Sequence, residues 1–88
     1  MNDPHGYDRL ARALDFLVAE LRAAQLDSSG LERARRFQTG SPSEFLGESL
    51  LALEAVLRNV DYLPPSVAAF IEALASEIRL GFERVGGG

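Results

Sequence analysis

Three runs of apolar residues recur at the spacing of an α-helix, and no stretch alternates apolar with polar as a half-buried strand does. In the first run Tyr7, Leu10, Ala11, Leu14, Leu17, Val18 and Leu21 follow the i, i+3, i+4, i+7 series, which predicts a helix over about residues 7–26. Asp3 and Pro4 stand just ahead of it, where a cap and a first-turn proline are favoured. In the second long run Phe45, Leu46, Ser49, Leu50, Leu53, Val56, Leu57 and Val60 form the inward stripe. Its start is the clearest signal in the chain: Ser41 suits an N-cap, Pro42 the first helical position, and Glu44 completes a capping box. The expected helix ends near Asn59. The last run buries Val67, Phe70, Ile71, Leu74, Ile78, Phe82 and Val85 on a helix over about residues 65–84, preceded by a proline-rich connector.

Between the first two runs, "DSSG" at residues 27–30 breaks the pattern. A short helix over about residues 30–38 carries Leu31, Ala34 and Phe37, and it is too short to hold without packing. The expected fold is therefore all-α: a small antiparallel bundle of three long helices plus one short helix. With 88 residues it forms a single domain, residues 1–88, in which about 1–6 and 86–88 are expected to be flexible. A core this small leaves room for a partner or a second copy to add stability.

The absence of cysteine excludes disulfides, thiolate metal sites and cysteine nucleophiles, and fits a cytoplasmic protein. No basic-then-apolar leader opens the chain, and no apolar run approaches the roughly 20 residues of a membrane span, so no membrane association is expected. Net charge is −4, with nine arginines and no lysine. That balance disfavours nucleic acid, which needs a concentrated basic face, and favours a basic protein partner. "ERARRF", residues 32–37, reads as a solvated or ion-paired face. His5 is the single histidine, so neither a catalytic triad nor a zinc set is available. The expectation is a non-enzyme without catalytic residues, metal ligands or cofactor, acting by binding.

Three residues break the amphipathic pattern. At about 100° per residue, Leu51 lies opposite its helix's buried stripe, one turn from Gly47, Glu48, Glu54 and Ala55. Phe16 lies outside the apolar arc of its helix, beside Arg12, Glu20 and Ala23, and Leu80 lies beside Ala69, Ala73, Ser76 and Arg84. One reading is that the short helix covers one of them; isolated surface leucines are also common. The sharper reading makes Leu51 the apolar anchor of a partner-binding face, with Glu44, Glu48 and Glu54 as an acidic rim and Phe16 and Glu20, together with Asp15, extending it. Pairing of two copies through Leu80 or Phe16, giving a homodimeric structural or regulatory adaptor, is the alternative.

The run "EFLGESLLALEAVL", the Pro-Pro connector and "VAAFIEALASEIRLGF" together resemble the second half of small helical immunity proteins, the antidotes of bacterial toxin–immunity systems, including the type paired with Maf toxins. Gly47, Glu48, Leu51, Ala52, Leu53 and Glu54 match that family's acidic amphipathic helix, and the likeness covers about half the chain. The resemblance implies a cytoplasmic antidote that binds a cognate protein toxin, such as a basic nuclease, through the acidic helix.

Overall fold

The computed structural model describes the backbone of residues 4–60 and 62–85 and the side chains of residues 7–60 and 62–81. Four α-helices follow one another: α1 (Pro4–Ala23), α2 (Ser29–Arg35), α3 (Pro42–Asn59) and α4 (Pro65–Val85), with a 3-10 turn at Arg36–Thr39 extending α2. No strand occurs among the described residues, and the fold is all-α as expected.

α1 starts at Pro4 rather than near Tyr7, so residues 4–6, expected to be flexible, are helical; proline at the first position loses no intrahelical hydrogen bond there. Residues 1–3 and 86–88, the rest of the expected flexible ends, lie outside the described residues. α1 also stops short of the expected Leu26. Gln25 takes the left-handed conformation (φ 62°), and the amides of Leu26 and Gln25 donate to the carbonyls of Leu21 (2.8 Å) and Arg22 (2.9 Å). This is a Schellman closure, with Leu26 folding back onto the core beside buried Leu21. The turn delivers the chain to α2, which Asp27 opens by accepting the Ser29 amide (3.0 Å). α3 begins as its cap signal indicates: the Ser41 hydroxyl accepts the Glu44 amide at 3.4 Å.

One core runs through all four helices. It comprises Leu10, Leu14, Leu17 and Leu21 from α1, Leu31 and Ala34 from α2, Phe45, Leu53 and Val56 from α3, and Val67, Ile71, Ala75 and Ile78 from α4. α2 packs on both α1 and α3, and α3 packs on α4, while Tyr7 meets Phe45 at 6.4 Å between ring centroids. Two expectations for α4 change. Phe70 is not interior: it is 38% exposed, because its side of α4 looks toward α1 across an open seam, and Ala75 takes an inward position instead. The Phe82 and Val85 side chains lie outside those described.

Candidate partner-binding face of helix α3

The Ser41 cap and Pro42 set the phase of α3, and that phase decides which side chains leave the core. With Phe45, Ser49, Leu53 and Val56 turned inward, Leu51 points away and is 60% exposed. α2 runs alongside without covering it. Gly30 of α2 comes near Ala52, where a Cβ on the glycine would stand 3.9 Å from the alanine Cβ. Because both residues are small, the helices approach closely and leave a shallow depression of about 240 Å³ lined by Gly30, Arg33, Glu48, Leu51, Ala52 and Ala55.

The structure gathers only part of the expected face. Glu48 and Leu51 share the depression, and Glu44 lies exposed further toward the start of α3. Among the described residues neither glutamate is ion-paired. Glu54 is differently placed. Its carboxylate accepts from the Arg79 guanidinium of α4 at 2.6 Å, so its charge is largely answered within the protomer. The expected rim of one sign is corrected again by Arg33, whose cation borders the same depression. Phe16 and Glu20 are exposed on α1, and the depression contains no α1 residue. Phe16 instead packs edge-to-face on Phe70 of α4 (5.3 Å, 68°). Asp15 does not extend the face either, since the Arg35 guanidinium donates to both its oxygens at 3.0 and 3.4 Å.

Compared with known protein families, curated proteins and solved structures, the chain has no significant match to any of them. The chemistry of the face rests on its own residues.

Of the arginines of the short helix, Arg35 is the one held by side-chain bonds among the described residues. Arg35 also donates to Gln38, whose amide in turn donates to Asp8 of α1 at 3.2 Å. Glu32 accepts from Arg22 of α1 (3.0 Å) and from the buried Ser28 hydroxyl (2.6 Å). The Ser28 bond foremost, with Arg22 adding to it, holds the Glu32 carboxyl below its ordinary value; the Ser29 amide does the same for Asp27. Among the described residues no three His, Cys, Asp or Glu side chains stand close enough to hold a metal ion, and no described helix is long and apolar enough to cross a membrane. The site offers an apolar knob, small-residue flanks and fixed charges. Sequence reasoning missed Gly30, Arg33 and Arg79 because each reaches the face from another helix. The small residues Ala52 and Ala55 beside Leu51 were the one available signal of a close helix approach.

Proposed function

We propose that the chain is a non-catalytic protein-binding module and that, within that class, it acts in the cytoplasm as an immunity protein neutralising a bacterial toxin. The observation that carries the binding reading is Leu51: a leucine exposed on an otherwise core-directed helix, seated beside a depression and next to Glu48 and Glu44. Buried anchors surrounded by polar residues dominate the energetics of protein interfaces. Glu44 and Glu48 give the face the charge that steers a basic partner, and Arg33 at the opposite edge fixes the orientation of docking. The resemblance of residues 44–57 to the acidic helix of immunity proteins supports the finer reading.

The test is co-expression with a neighbouring gene product whose C-terminal domain arrests growth. The expected result is rescue of growth by the wild-type chain and loss of rescue with Leu51→Arg, with Glu48→Arg weakening binding at least tenfold. Both positions lie outside the interior, so the helical circular dichroism spectrum is expected to be unchanged. Unaltered rescue by both variants removes the α3 face from the proposal; no rescue by the wild-type chain removes the antidote reading.

A further inference from the structure

α1 and α4 face each other across a second, larger hollow. Among the described residues they do not share the close backbone packing that joins α3 to α4, and a groove of about 800 Å³ lies between them. Leu10, Leu46, Leu74 and Ile78 make an apolar floor. The two banks carry opposite charge: Arg9 and Arg12 on α1, Glu77 on α4, all exposed. The Phe16–Phe70 pair stands at one end of the groove, and Tyr7 and Gly81 line the other. Leu80, 55% exposed and outside the groove lining, forms an apolar ridge on α4 two turns beyond Ala73 on the same side of the helix.

We propose that this groove is a self-association surface whose occupant is the α4 ridge of a second copy of the chain. In a two-fold dimer each contact occurs twice, so a surface fits itself only if its two halves complement each other. The banks meet that condition. A two-fold axis along the groove lays α4 of each copy against α1 of the other, bringing Glu77 to the partner's Arg9 and Arg12 and gathering both aromatic pairs at one end. An axis across the groove would set α1 on α1 and oppose arginine to arginine, so the charges select the first arrangement. Gly81 is a separate indication. A Cβ there would meet nothing within 4 Å, yet glycine inside a helix costs about 1 kcal/mol relative to alanine. Nothing described within the protomer requires that missing side chain, whereas a helix seated at the groove's end does.

The experiment is sedimentation equilibrium of the full chain from micromolar to near-millimolar concentration, with circular dichroism of each variant. The wild type is expected to dimerise. Glu77→Arg and the double variant Arg9→Glu, Arg12→Glu are each expected to weaken self-association at least tenfold, while an equimolar mixture of the two restores the dimer because both contacts are then of opposite sign. Gly81→Ala is expected to melt higher and dimerise several-fold more weakly, a combination that misfolding does not produce. Leu51→Arg leaves the dimer intact, so this inference and the α3-face reading fail separately. A wild type that stays monomeric throughout, variants that dimerise as the wild type does, or a mixture that remains monomeric each overturns the proposal. A monomer whose groove takes up an unrelated acidic helix does so as well.

Discussion

Along one flank, α1 is joined to α3 through α2; along the other, it faces α4 across an open groove. The covered flank has a buried plug, Leu31 and Ala34, and a polar edge in which Arg35 and Gln38 hold Asp15 and Asp8. The open flank has an apolar floor of similar residues, but its aromatic pair, Phe16 and Phe70, remains 49% and 38% exposed. Apolar residues face both seams, so composition does not separate them. The difference is that one connector folds back over its seam and the other does not. The α1–α2 turn reverses through Gln25 and lays seven helical residues over the gap, whereas the proline-bound connector before α4 carries the chain straight into another long helix.

The contrast is most directly broken at Leu31. It is fully buried on a helix too short to persist alone, so Leu31→Ala is expected to cost about 3 kcal/mol and to release α2. Leu74→Ala, on the half-buried floor of the open groove, is expected to cost about 1 kcal/mol. Urea denaturation of the two variants measures the difference, and equal losses would show that the flanks are packed alike.

Ser49 belongs to α3, which packs on both α2 and α4. Its hydroxyl is buried among apolar side chains without a hydrogen-bond partner among the described residues. Ser49→Ala is expected to stabilise the fold by about 1 kcal/mol, raising the thermal midpoint by about 5 °C. A lowered midpoint would mean that the hydroxyl has a partner that the alanine loses.

Gln25 sharpens the comparison at the turn that creates the covered flank. A non-glycine residue in the left-handed region carries strain of about 1–2 kcal/mol, partly offset by the greater unfolded-state freedom of glycine. Gln25→Gly is therefore expected to add roughly 0.5–1 kcal/mol, and Gln25→Val to destabilise, both read from urea midpoints. Stabilisation by valine would show that the turn is not held in this geometry.

What the sequence made legible follows the same division. The start of α3 could be read because Ser41 and Pro42 act locally, through the bond from the Glu44 amide to the Ser41 hydroxyl and through proline's fixed φ. The return bond of a capping box, from the Ser41 amide to the Glu44 carboxylate, is absent among the described residues. The outward position of Leu51 follows from that phase. The end of α1 could not be read, since its left-handed residue is a glutamine with none of glycine's signature. Periodicity places Phe70 in the core because it measures the width of an apolar arc and not whether another helix lies against all of it. The acidic rim was misjudged for a related reason. Glu54 is paired with Arg79, 25 residues later, and Asp15 with Arg35, 20 residues later, pairings only the tertiary fold creates.

The smallest expected effect distinguishes the flanks by pH. Asp27 and Glu32, both at the α1–α2 junction, have carboxyls held below their ordinary values by the Ser29 amide and the Ser28 hydroxyl respectively. The unfolded chain therefore binds protons at a higher pH than the folded chain does. The stabilisation is fully present above the ordinary carboxylate range, roughly pH 4, and is lost as pH falls through the lowered folded values. Both groups are open to solvent, so the contribution is modest and weakens in salt. Urea midpoints measured from neutral pH down to about pH 3 are expected to fall more steeply for the wild type than for the double variant Asp27→Asn, Glu32→Gln. Amide exchange over the same interval is expected to show α2 loosening before α3. Identical pH slopes in the two proteins would mean that the junction bonds contribute nothing to holding the plug in place, leaving the covered flank to the burial of Leu31 and Ala34 alone.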